Sequence, residues 1–325
     1  MRHRFPILIG LLALIAAVAP TTASAKDHDP GPALQTPPAA LEQALKCTGD
    51  LRGPHDPVLL VHGTFADSAI NWSWSYVEAL PTTGRGVCTV DLPDRSAGDA
   101  QVSSEYVVHA IRAIAHQSRS DVDVIGHSQG GLQARWALRW WPDIRGLVSD
   151  VVMFGTPNHG SAFPDAVCTG PFFCAASLYQ MQTGSAFLTA LNAGKETVGN
   201  VSLTSINSTD DQTFVLASQS ALNGKPQRVS NVLVQDLCPG HVVDHVSLAF
   251  DGPTYALALD ALDHRGPADP SRVDTAVCQT DTMPFVTRDE ANAKLFEYAS
   301  TLQQLLGPNG PKAEGEPPLK EYANR

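Results

Sequence analysis

The chain holds no run of basic residues, no glycine-rich phosphate loop and no histidine–cysteine cluster at zinc spacing. Those absences remove the sequence signatures of nucleic-acid binding, nucleotide chemistry and zinc catalysis. Charge is sparse, at 17% of residues, and acidic side chains outnumber basic ones 33 to 22. An acidic surface is a poor match for nucleic acid or anionic lipid headgroups. No apolar run reaches the length that a spanning helix needs, so no integral membrane segment is expected. No internal repeat is visible, which sets aside solenoids and propellers.

What is present begins with an export signal. Arg2 and Arg4 precede an apolar run over residues 7–18, Pro20 breaks it, and Ala23-Ser24-Ala25 reads as a small-x-small cleavage site. Residues 1–25 are therefore expected to be a signal peptide, and the protein to be secreted. The six cysteines, an even number in an exported chain, favour disulfides over thiol or metal chemistry. Residues 26–38 contain four prolines and read as a flexible leader. Residues 307–325 are rich in Pro, Gly and charge and read as a flexible tail. The region between, 39–306, is long enough to bury one large core.

Within that region, short continuous apolar runs alternate with helical periodicity. Residues 57–62, 87–92, 121–125, 148–154, 201–206 and 229–235 read as strands buried on both faces. Helices are expected over residues 104–116, from Gln129 to about Trp141, and over 289–306. This alternation implies βαβ units and an α/β fold, with a mostly parallel central sheet flanked by helices. Residues 161–193 interrupt the order with an apolar stretch that is not strand-like, and are expected to form a cap or lid.

The chemistry concentrates at Gly126-His127-Ser128-Gln129-Gly130, which matches G-x-S-x-G. The pentapeptide alone is cheap. Its setting is not, because it follows a buried strand and opens a helix, where a tight turn exposes the serine Oγ at the sheet edge. Ser128 is the expected nucleophile of an α/β-hydrolase. An acyl-transfer serine needs donors for the oxyanion. Gln129 N–H is one candidate. Thr64, in His62-Gly63-Thr64 after the first buried strand, is the other, through its N–H and its hydroxyl. His62 itself reads as a hydrogen-bonded loop residue. The acid should follow a later strand, which offers Asp210 first, with Asp211 as the alternative. The base should follow the last strand, which offers His245 ahead of His241, with His264 farther off. Trp136, Trp140 and Trp141 read as core. Trp72 and Trp74 are close enough to the oxyanion loop to line a pocket.

Several segments in one order resemble the lipase B type of fungal lipase (the Candida antarctica lipase B family), and more distantly the bacterial class 2 lipases. They run from about residue 41 to 278 and include Val58-Leu59-Leu60-Val61-His62-Gly63-Thr64, Ser128-Gln129-Gly130-Gly131, Ser208-Thr209-Asp210-Asp211 and Val243-Asp244-His245. The resemblance implies an α/β-hydrolase fold, Asp210 as acid, His245 as base, and oxyanion donors at Thr64 and Gln129. It also implies disulfides Cys47–Cys88 and Cys238–Cys278. Cys168 and Cys174 remain, six apart in the cap, where a third bridge would pin a small loop. The family's polar acyl-pocket groups are replaced here by residues such as Pro157 and Met181, implying a more apolar pocket.

The expected activity is that of a serine-dependent lipase or esterase, acting through an acyl-enzyme on Ser128 and needing no cofactor. Its partner would be an ester or lipid substrate, at an oil–water interface where the substrate is insoluble, and the protein is expected to be a monomer. Rival readings are a polyester or cutin-like polymer hydrolase, an acyltransferase, and a non-catalytic lipid-binding protein.

Overall fold

A computed structural model describes residues 29–324. The signal-peptide expectation for residues 1–25 falls outside them. Seven strands form one sheet: β1 (Leu45–Thr48), β2 (Val58–Val61), β3 (Val87–Val90), β4 (Val122–His127), β5 (Val148–Phe154), β6 (Ser202–Asn207) and β7 (Val229–Leu233). Their spatial order is β1-β3-β2-β4-β5-β6-β7. All pairs are parallel except β1 with β3. The fold is the expected α/β-hydrolase sheet. The six runs read as strands all appear; β2, β3 and β4 are buried along their whole length, while β7 at the sheet edge exposes Asn231.

Two hydrophobic clusters sandwich the sheet. One face packs on helices Ala100–Ser118 and Gln129–Trp140, which bury Val107, Ile111, Leu132 and Trp136. Asp99 caps the first of these by accepting from Gln101 N–H. The other face packs on Trp72, Tyr76, Leu248 and helix Gly252–Asp263. All three expected disulfides form: Cys47–Cys88, Cys168–Cys174 and Cys238–Cys278. The first joins directly opposed residues of β1 and β3.

Two segments depart from their reading as flexible. Within the leader, Gln35 and Thr36 N–H donate to Glu105 Oε2, and Trp141 Nε1–H donates to Pro32 O. The tail is docked along the cap and the sheet helices. Ala313 N–H donates to Cys174 O while its carbonyl accepts from Phe172 N–H. Glu316 accepts from Ala186 and Phe187 N–H, at the start of helix Ala186–Asn192. Tyr322 lies within ring-contact distance of Trp136, Trp140 and Trp141 and accepts from Trp136 Nε1–H. Composition suggested looseness; a few well-placed apolar and acidic side chains fasten the segment instead.

Candidate active site

β4 runs into helix Gln129–Trp140 through a single residue, Ser128, whose backbone sits at φ 54°, ψ −123°. A non-glycine residue there is strained, and the surroundings hold it. Ser128 N–H donates to Phe154 O at 2.7 Å, and Ser128 O accepts from the Thr156 hydroxyl at 2.9 Å. The turn closes only because its neighbours lack side chains. A Cβ on Gly126 would stand 2.5 Å from Gly131 N, and one on Gly130 would stand 2.3 Å from Val61 O.

The loops after β6 and β7 complete the site. His245 Nε2 lies 3.0 Å from Ser128 Oγ, and His245 Nδ1 lies 2.6 Å from Asp211 Oδ2. A carboxylate only accepts, so Nδ1 carries the hydrogen and Nε2 is free to accept from the serine hydroxyl. Asp211 is buried and held in turn by Phe214 and Val215 N–H. Phe214 stacks on the His245 ring at 4.9 Å.

Asp211, and not the expected Asp210, is the carboxylate bonded to His245. Asp210 is exposed, and its Oδ2 accepts from Val243 N–H and Gln235 Nε2–H. It braces the loop that carries His245 and does not reach the ring. The turn after β6 sends these adjacent side chains in different directions, and only the second points at the imidazole. His241 is also excluded by position, because its Nε2 is paired with Asp251 at 2.5 Å. His264 bonds to Asp260 on helix Gly252–Asp263.

Thr64 and Gln129 are brought together: the Thr64 hydroxyl donates to Gln129 Oε1 at 2.7 Å. That bond occupies the hydroxyl, which leaves the two main-chain N–H groups as the donors on offer. Gln129 opens its helix, where amides have no intrahelical carbonyl. Tyr298 hydroxyl donates to Thr64 O, fixing the loop from above. Burial pushes that phenol up to about 12. His62 is the expected structural residue: Nδ1–H donates to Gly63 O and Nε2 accepts from Leu92 N–H.

The cleft above Ser128 is apolar. Pro157, Phe163, Pro164, Leu178, Met181 and Leu302 line it. Four of these come from residues 161–193, which form short helices Ala162–Val167, Ala176–Gln180 and Ala186–Asn192. These residues form one wall of the cleft. Helix Arg288–Leu306 supplies Tyr298 and Leu302 as another, a contribution that its periodicity did not announce. Trp72 is buried in the core, and Trp74 lines a separate apolar pocket beyond His127.

Comparison with known proteins decides the family. Lipase B of Pseudozyma antarctica is 30% identical over 97% of this chain and 94% of its own length. The chain belongs to the lipase B family. The crystal structure of Aspergillus fumigatus lipase B superposes with a TM-score of 0.82 at 30% identity, over 94% of this chain and 75% of that one. A family model described as a PGAP1-like alpha/beta domain matches residues 96–238. A triacylglycerol lipase of Pseudarthrobacter phenanthrenivorans is 31% identical over 34% of this chain and 36% of its own. As a lipase B family member the chain is a carboxylic ester hydrolase of the lipase/esterase type. Among the described residues no helix is long and apolar enough to cross a membrane.

Proposed function

We propose that the protein is a secreted, monomeric triacylglycerol lipase or esterase that works through an acyl-enzyme on Ser128. The observation that carries this reading is the continuous hydrogen-bonded relay Ser128 Oγ–His245–Asp211. In that mechanism His245 Nε2 takes the proton as Ser128 Oγ attacks the ester carbonyl. Thr64 and Gln129 N–H hold the oxyanion, and losing one such donor costs about 100- to 1,000-fold in rate. His245 then returns the proton to the leaving alcohol, and Asp211 stabilises the charged ring throughout. Water repeats the sequence on the acyl-enzyme. No step calls on a cofactor.

A lipid-like acyl chain suits the apolar cleft, and the triacylglycerol lipase relatives support the same substrate class. Three disulfides, formed by all six cysteines, fit an oxidising, extracellular setting. The test is hydrolysis of an emulsified triacylglycerol and of a p-nitrophenyl ester series of two to sixteen carbons, by wild type and by Ser128→Ala. Turnover lost in the variant supports the reading. A folded wild type that hydrolyses no ester overturns it.

A further inference from the structure

His127, the residue before the nucleophile, is buried and bonds to the main chain of the loop that carries the base. Its Nε2 lies 3.0 Å from the main-chain carbonyl of His245. A carbonyl only accepts, so Nε2 carries the hydrogen. On the other side of the ring, Nδ1 lies 3.1 Å from Asn71 Oδ1. That same oxygen accepts from Gly63 N–H at 3.0 Å, immediately before Thr64. With Nε2 protonated and the ring neutral, Nδ1 is an acceptor and makes no hydrogen bond to Asn71 Oδ1; the bond of the ring is the one to the main chain of the base, and covalent geometry fixes the ring to Ser128.

We propose that His127 is a positioning residue: through the His245 carbonyl it holds the base in register with Ser128. The proposal rests on the roles given above to Ser128 and His245. It does not follow from the nucleophile motif, which leaves the position before the serine open. The loop that carries His245 has no regular structure, so its register depends on side-chain bonds. Asp210 supplies one at Val243 N–H, and His127 supplies the next at His245 O.

The ring can do this without disturbing the chemistry. The two imidazoles are 5.3 Å apart, close enough for a charge on one to oppose a charge on the other. Burial, helped by the neighbouring His245, pushes His127 down to about 3. It stays neutral while His245 takes up its proton.

Removing the Nε2 donor leaves a buried carbonyl without a partner, and the loop must shift to satisfy it. A displacement near 1 Å at a reacting group costs on the order of 100-fold. The side chains that can replace His127 test its Nε2 contact. Gln reaches as far as the Nε2 position with an amide donor. Asn reaches only as far as Nδ1. Phe keeps the ring and loses the donor.

The experiment compares His127→Gln, His127→Asn and His127→Phe by p-nitrophenyl ester kinetics, by the rate of Ser128 labelling with a fluorophosphonate, and by melting temperature. The expected result is a fall in kcat and labelling rate of roughly 10- to 100-fold for Asn and Phe, with KM changed little. Gln restores most of the rate, at melting temperatures that do not track activity. Retention of full kcat by His127→Asn overturns the proposal, as does a Gln variant no better than Asn at equal stability. This holds even if Phe does not fold. A wild type that labels at Ser128 but turns over no ester overturns the proposed activity instead, while the labelling rates of the variants still read the His127 contact.

Discussion

Asp211 and Asp210 are neighbours in sequence with opposite assignments: the first bonds His245 Nδ1 at 2.6 Å, and the second braces Val243 N–H at 3.1 Å. Asp211→Asn should lower kcat by roughly 1,000- to 10,000-fold, because an amide cannot both hold the productive tautomer and stabilise the charged ring. Asp210→Asn keeps an oxygen for Val243 and should stay within about fivefold of wild type, since the net worth of such a bond is about 1 kcal/mol. Steady-state kinetics of the two variants check this. The reverse order of damage would move the acid to Asp210.

The amino edge of the sheet, opposite the active site, carries a buried acidic group. Burial, with Asp56 adding to it, pushes Asp150 up to about 7, against the opposing effects of Ser202 and Arg228. Burial and then Asp150 raise its neighbour Asp123 as well. A carboxyl whose folded value lies above its unfolded value binds its proton more tightly in the native state. The stability that results is full below about pH 4 and is lost as pH rises towards 7. Asp150→Asn mimics the protonated form. It should raise the melting temperature at pH 8 by about 2–5 °C for a domain of this size and bring no gain at pH 4. A melting temperature unchanged at both pH values would contradict this account of the cluster.

The docked tail should matter to stability. Tyr322→Ala removes a ring from the cluster of Trp136, Trp140 and Trp141 and leaves Trp136 Nε1–H without its acceptor. Large-to-small losses at such sites cost about 3 kcal/mol, less here because Tyr322 is only partly buried. Chemical denaturation should show a loss near 2 kcal/mol, with kcat nearly unchanged. A loss below about 0.5 kcal/mol, the surface norm, would return the tail to its reading as a loose segment.

The cleft walls set a further expectation. Leu178 comes from the cap and lines the apolar passage above Ser128. Leu178→Trp should cut turnover of the sixteen-carbon ester by about tenfold, because overpacking of this kind costs about 1–3 kcal/mol. Turnover of the acetate ester should hardly change. A chain-length profile identical to that of wild type would place the acyl chain elsewhere.

Much of this was legible in the sequence, and the failures have physical causes. Buried strands announce themselves because both faces demand apolar residues, as in β2 and β4. The edge strand β1, with three of its four residues exposed, carries no such pattern and went unread. Ser128 and His245 were legible from order and context. The acid was not, because one residue of loop geometry decides between adjacent aspartates. The bonds from Phe214 and Val215 N–H back to Asp211 fix that turn, and they form only once the loop folds. The tail misled because proline and charge dominate its composition, while Ala313, Glu316 and Tyr322 do the docking. The role of helix Arg288–Leu306 depends on where the helix lies, which periodicity does not report.

The central claim is covalent catalysis at Ser128, and the most direct measurement is to trap the acyl-enzyme. Rapid mixing with an excess of p-nitrophenyl ester, acid quench and peptide mass spectrometry would locate the acyl group. The account predicts one acyl mass added to the peptide containing Ser128, formed within the first turnover and absent from Asp211→Asn on that timescale. Ester turnover with the acyl group on a different residue, or with no adduct at any quench time and no burst of p-nitrophenol, would contradict it.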